Sequence, residues 1–539
     1  MTCDMPDDSS FARESEPVHM RFNATLLSFF FFAAANLAQA QCDCPPVADR
    51  PIVTVAAGGT GTTNWTCDNT YVIDGYVFVQ DGQVLTIDAG TVVKGAAGSG
   101  ADAAALIVSR GGQVIADGTA DCPIIMTYEA DPLDGSVAYD TRGQWGGLIV
   151  LGKATTNFGG VAQVEGIPAD NDQAAYGGDN DTDNSGVFRY VSVRHGGAEL
   201  GAANEINGIT FAGVGSGTIV ENVEVVSNLD DGIEFFGGAV SVKNAIVAFC
   251  GDDSFDWDQG YHGDANENWL VIQDQPGAVG DRGGELDGDD SDDGNVSADE
   301  MPFSTPTVAG WTIVGVGGNQ GMLFRNGSGG HVSNAVITNV SEGIEIEDKE
   351  TPEDAFDRWV AGDLTLMDIT IVGDAGIDYD GEEVADGDEQ LQAYADSNNI
   401  VVDNAFAVDY TFGFNASGTS ATDTLNLECG AGSGHAWALG WTFCDAINLF
   451  GGEGTINSVE TASVQAVTLW PNPTRGDLRV AGLAAGATLE VRSMTGAIVW
   501  EGEILAGEAV VPTRGWTAGA YIVVWTADGV TGRERFVVR

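Results

Sequence analysis

Basic side chains are scarce in this sequence. Lysine and arginine together number 21 against 80 aspartates and glutamates in 539 residues, a formal net charge of −59. So anionic a chain repels nucleic acid and anionic lipid, whose recognition needs cationic patches, while its field concentrates divalent cations. Proline is sparse as well, 15 residues beside 75 glycines, which favours a turn-rich repeat over extended linkers. Apolar residues do not recur at the 3.6-residue helical period, and helical solenoids are thereby excluded. No two cysteines have CxxC zinc spacing, and nothing resembles a phosphate loop or a serine nucleophile elbow. The apolar run at 26–35 is too short and wrongly flanked for a membrane span, and no other segment reads as one.

What is present begins with a leader. Residues 1–19 are acidic and lack a basic region, whereas Met20-Arg21 opens a standard n-region before the apolar run. Met20 is therefore the expected initiator, and Ala38-Gln39-Ala40 offers a signal-peptidase site that makes Gln41 the mature N-terminus. Gln41 before Cys42 is not the small residue that lipobox processing needs. Removing residues 1–40 leaves 75 acidic against 19 basic residues, net −56. From residue 471 onward seven acidic residues face seven basic ones, so the body carries the whole imbalance. The exported context permits disulfides, and Cys67–Cys122 and Cys429–Cys444 are the expected pairs, with Cys42 and Cys44 left open. Cys250 ends an apolar run and reads as a buried, inert thiol.

A chain of this length exceeds what one globular core supports, about 250–300 residues, and a repeat explains how it folds. Val220-Glu221-Asn222 with Asp230-Asp231-Gly232-Ile233-Glu234-Phe235 returns as Val242-Lys243-Asn244 with Asp252-Asp253-Ser254-Phe255-Asp256-Trp257. Both landmarks recur at the same offset, which is one solenoid rung. Asn334 with Glu342-Gly343-Ile344-Glu345 repeats the unit with one residue deleted, and Gly376-Ile377-Asp378-Tyr379 echoes it. Short β-branched runs of this kind bury a face only by stacking in register. Asn222, Asn244 and Asn334 are then expected to form an axial ladder of amides.

The segment 85–91 (Leu-Thr-Ile-Asp-Ala-Gly-Thr), the Gly143-x-Trp145-Gly146-Gly147 turn, Glu205-Ile206-Asn207-Gly208-Ile209-Thr210 and Asp230 to Gly238 together resemble a family of secreted right-handed β-helix proteins. The resemblance covers most of residues 50–420 and implies a fold without a biochemical role. At the other end, Leu469-Trp470-Pro471-Asn472-Pro473, the strand at 518–524 and the basic terminal strand 533–539 resemble the type A sorting domain of type IX secretion cargo, with Trp470 where tyrosine is commoner. The expected organisation is all-β: leader 1–40, N-terminal cap and first coils 41–130, a right-handed parallel β-helix body 131–450, a linker 451–466, and a small C-terminal β-sandwich 467–539 that engages the type IX machinery.

Three constellations carry possible chemistry. Asp289, Ser291, Asp293, Asn295, Ser297 and Glu300 fit the spacing of a twelve-residue calcium loop with Gly294 at its sixth position, though the flanking helices of an EF-hand are missing. Asp179, Asp181 and Asp183 form a weaker candidate. The rung alignment also places Asp231 over Asp253 and Glu234 over Asp256, about 4.8 Å apart. Two carboxylates so close repel by roughly 3 kcal/mol at an effective dielectric of 20, so a cation bridges them, one holds a proton, or they point into water. Asp231, Asp252 and Asp253 are also similar to the carboxylate motifs of polygalacturonase-type β-helix hydrolases, and His262 imitates their Gly-His-Gly. Here His262 lies less than one rung past Asp253 and no Arg-x-Lys follows. The expectation is a secreted or cell-surface β-helix, stabilised by Ca2+, acting as adhesin, scaffold or glycan-binding surface, with a polysaccharide hydrolase or lyase as the alternative.

Overall fold

In the computed structural model the described residues are 42–539 apart from 135, 166, 168–170, 200–205, 274–279, 289–300, 350–353, 373–374, 382–383, 403–434, 439, 447–467, 471–473, 475, 482–486, 494–497, 504–507, 517–518 and 528–529. Two compact units divide between Gly454 and Thr455.

The first unit is a right-handed parallel β-helix in which 24 strands join one hydrogen-bonded sheet among the described residues. Parallel pairing fixes the rungs. Glu221 lies over Lys243, and Glu234 lies over Asp256, as the 22-residue offset requires. Side chains alternate across each strand, so the inward row buries Phe211, Phe235, Trp257, Leu286 and Phe324. The rings of Phe211 and Phe235 stack at 5.7 Å between centroids, and Phe255 stacks on Trp269 at 4.1 Å, so successive rungs are joined by aromatic contact.

The asparagines solve a backbone problem. Asn222, Asn244, Asn268 and Asn334 all have φ between 55° and 58°, a left-handed conformation that bends the strand and that asparagine tolerates better than most side chains. Their amides then bond along the axis: Asn244 Nδ2 donates to Asn222 Oδ1 at 3.2 Å, and Asn268 Nδ2 donates to Asn244 Oδ1 at 2.9 Å. Gly310, at φ 83°, stands between Asn268 and Asn334 and interrupts the ladder. Beside this column runs a row of alternating sign in which Asp117, Arg189, Glu221, Lys243 and Glu267 are successive register partners. Arg189 reaches Asp117 at 3.0 Å and Glu221 at 2.8 Å, and Lys243 reaches Glu267 at 2.8 Å.

The cysteines pair differently from expectation. Cys42 bonds Cys122 and Cys44 bonds Cys67, so the two cysteines left open take the two that were to pair with each other. The incoming segment lies across the first coils, and the two sulfur pairs meet over Gly90, where a Cβ would come within 2.8 Å of Cys42 Sγ and 2.7 Å of Cys44 Sγ. Cys444 is a buried thiol without a disulfide; its expected partner Cys429 lies outside the described residues. Cys250 is buried as expected, and burial pushes its thiol up to about 12.

The second unit contains a three-stranded and a four-stranded antiparallel sheet. Leu478, Val480 and Val511 of the first sheet share a core with Leu489, Val491, Tyr521 and Val523 of the second, which is a small sandwich. The Pro471-Asn472-Pro473 turn lies outside the described residues.

Candidate functional site: a stacked carboxylate face

The site follows from strand alternation. In strands Ile233–Gly238, Phe255–Asp258 and Arg282–Asp287 the residues Ile233, Phe235, Phe255, Trp257 and Leu286 point into the core, so the residues that alternate with them point out and stack with the register. Glu234, Asp256 and Glu285 form one outward row. At the adjoining corner Asp231 Oδ1 accepts the Asp253 amide at 2.8 Å, and Asp253 Oδ1 accepts the Arg282 amide at 2.6 Å. These corner carboxylates therefore form an axial ladder, each bracing the next rung.

Oxygens of Asp231, Glu234 and Asp256 lie within 4.8 Å of one another, as do those of Asp230, Asp231 and Asp252, and those of Asp252, Asp253 and Asp281. Asp231, Glu234 and Asp253 are buried. Asn207 Nδ2 donates to Glu234 Oε2, which fixes the direction of that carboxylate. Two cations answer the stack. Arg282 Nη1 lies 2.7 Å from Glu285, 3.0 Å from Asp281 and 3.6 Å from Asp253, and Arg325 contacts Asp287 at 2.7 Å and Glu285 at 3.0 Å. Both arginines thus favour the Glu285 side, and neither is within 4 Å of Glu234 or Asp256.

The carboxyl pKa shifts follow from burial and from that imbalance. Burial first, then Glu165 and Asp256, raises Glu234 well above the usual carboxylate range. Burial, then Glu285 and Asp287, does the same for Asp256. Burial and Asp230 raise Asp231, while Asp253 is raised by burial and Glu285 against a lowering pull from Arg282. Asp287 is pushed up to about 7 by burial although Arg325 draws it down. Such carboxyls hold protons or accept a cation.

The remaining sequence candidates are placed elsewhere. His262 stands apart from Asp231 and Asp253: its Nδ1 faces Gly260 O at 2.7 Å and its Nε2 lies 3.7 Å from Asp181. Asp181 Oδ1 accepts the Thr155 amide and Asp183 Oδ2 accepts the Lys153 amide, so these two brace a turn, and Asp179 is exposed. Asp252 is exposed at the edge of the corner ladder. The loop with Asp289, Ser291, Asp293, Asn295, Ser297 and Glu300 lies outside the described residues. Trp257 and Tyr261 belong to the core. Glu285, Arg282, Arg325 and Asn207 were not foreseen. The Asp253-to-Arg282 step is 29 residues and the Asp287-to-Arg325 step 38, and these inserted loops hide the rung period.

With the coils and this face in view, the family is defined: the chain belongs to the pectate-lyase-like beta helix domain family, whose model matches residues 59–442. No curated protein matches its sequence. Among solved structures it is similar to PorZ, a surface component of the type-IX secretion system of Porphyromonas gingivalis, at 25% identity over 15% of this chain and 12% of that one, with a TM-score of 0.14. It is also similar to the enzymatically active domain of tailspike protein 2 of bacteriophage CBA120, at 10% identity over 86% of this chain and 66% of that one, with a TM-score of 0.20. No helix among the described residues is long and apolar enough to cross a membrane.

Proposed function

We propose that this protein is an exported cell-surface β-helix whose stacked carboxylate face binds divalent cations, calcium foremost, and serves as an adhesin, scaffold or glycan-binding surface of a Gram-negative bacterium. The contrast between two rows of the same solenoid carries this reading. One row alternates Asp117, Arg189, Glu221, Lys243 and Glu267 and neutralises itself. The other stacks Glu234 on Asp256 on Glu285, and among the described residues no lysine or arginine pairs with the first two within 4 Å. Alternation is available to this sequence and is not used there, so the like-charge stack is suited to an external cation held by Asp231, Glu234 and Asp256, whose hard oxygen donors match calcium. Differential scanning calorimetry tests it. A cation that binds the folded state alone adds about 2.7 kcal/mol at a hundredfold excess over Kd, so the melting temperature rises with millimolar calcium and falls on chelation. Equal melting temperatures in both would reject the cation.

The export half of this reading rests on the resemblance of the C-terminal unit to type IX sorting domains and on the balance of seven acidic and seven basic residues from position 471 onward.

One observation favours a second reading, polysaccharide cleavage. Carboxyl oxygens within 4.8 Å at Asp231, Glu234 and Asp256, with protonation favoured by burial, resemble the ~5 Å spacing of a retaining carboxylate pair, and the family description is pectate-lyase-like. Incubating the mature protein with neutral and acidic polysaccharides, and following reducing ends and unsaturated products, separates the two. Turnover abolished by D256N or D253N in a folded variant would establish the enzyme.

A further inference from the structure

A segment far along the chain folds back onto the β-helix. Residues Trp437, Ala438, Phe443 and Cys444 meet the face formed by Val226, Ile246, Ala248, Leu270, Ile272 and Val314, and Trp441 sets its ring edge-on to Tyr190 at 5.4 Å. Its anchor is Glu224, a fully buried side chain on strand Ile219–Val226. Glu224 Oε2 accepts the Phe443 amide at 2.9 Å and the Ser192 hydroxyl at 2.6 Å, and Oε1 accepts the Cys444 amide at 3.1 Å. Arg194 Nε donates to Ser192 Oγ at 2.8 Å, and its guanidinium lies over the Phe443 ring at 5.2 Å.

His195 sits beneath this anchor with no exposed surface. Its ring is edge-on to Phe443 at 5.9 Å and to Tyr128 at 5.6 Å. Nδ1 donates to Thr141 O at 2.7 Å, and Nε2 is buried without a hydrogen-bond partner. We propose that His195 makes the 437–446 segment an acid-sensitive clasp: a proton on Nε2 places an unpaired buried charge under Phe443, next to Arg194, and the clasp lifts from the sheet. The titratable groups around this imidazole are Arg194 on its own strand, Glu224 on the neighbouring strand, Tyr128 at the end of strand Ile124–Tyr128 and Asp131 just after it, Arg142 beside Thr141, and Cys444 and Asp445 on the clasp. Burial, the largest effect, and Arg194 oppose the proton, while the Thr141 hydrogen bond and Asp131 favour it, and the folded imidazole is held below its ordinary value. The sign follows. The released state binds the proton more readily, so docking is complete above the unfolded imidazole pKa of about 6.5 and weakens as pH falls below it.

Hydrogen exchange with mass spectrometry, corrected for the intrinsic pH dependence of exchange, tests this on the full mature chain. Protection of the peptide that carries the Phe443 and Cys444 amides should fall between pH 7.5 and 5.5, approaching tenfold per pH unit at the acid end, while a peptide from strand Ile219–Val226 stays protected. In H195F, which keeps the aromatic edge contacts and cannot titrate, the clasp should stay protected to pH 5.5. H195Q, which retains a donor for Thr141, serves if H195F fails to fold. A wild-type clasp whose protection does not change with pH, or a variant with the same pH dependence, overturns the proposal.

Discussion

Asp256 faces two opposing demands. It lies between Glu234 and Glu285 in register, so in the absence of a cation its charge is a liability, and in the presence of one it is a ligand. D256N is therefore expected to melt at or above the wild-type temperature in chelator and to lose most of the wild-type gain in millimolar calcium. A merely structural carboxylate would show neither change. Protons compete for the same face. Burial pushes Asp287 up to about 7, and Asp354, buried and beside Asp348, is also pushed up to about 7. An unfolded aspartate titrates near 3.9, so the folded chain retains protons that the unfolded chain has released. Stability from these groups is complete below about pH 4 and is lost as pH rises through 7. Melting temperature in chelator should decline from pH 5 to 8, and less steeply in D287N.

At the scale of the strand, the legible features were those set by short-range repetition. The offset between Asn222 and Asn244 and between Glu234 and Asp256 was visible because no loop intervenes, and register partners follow it. Asn268 continues the amide ladder two residues out of phase, 24 residues on instead of 22, and was missed for that reason. Glu285 and Arg325 were missed because long insertions precede their strands. The cysteine pairing was misread because bracketing in sequence says nothing about which sulfur an incoming segment lays across a coil. The ladder itself makes a prediction. At a left-handed position N244G keeps the backbone and loses only the amide bonds, whereas N244V adds backbone strain of about 2 kcal/mol. Chemical denaturation should show N244V as the less stable of the two, and the reverse order would contradict the assignment of the bend.

For the whole molecule, charge is divided by task. The β-helix family is established over residues 59–442, and nearly all the excess negative charge lies in that unit, while the C-terminal sandwich is balanced. If the sandwich is the proposed sorting domain, deletion of residues 467–539 should strand the protein in the periplasm, read by fractionation, and normal surface display would refute it. The account stands most directly on the cation at the stacked carboxylates. Isothermal titration of calcium into the mature wild-type protein and into an E234Q/D256N double variant measures it, since any site in the acidic loop at 289–300 remains common to both. The account predicts that the folded double variant binds one calcium fewer per chain. Equal stoichiometry and affinity in the two proteins would contradict it.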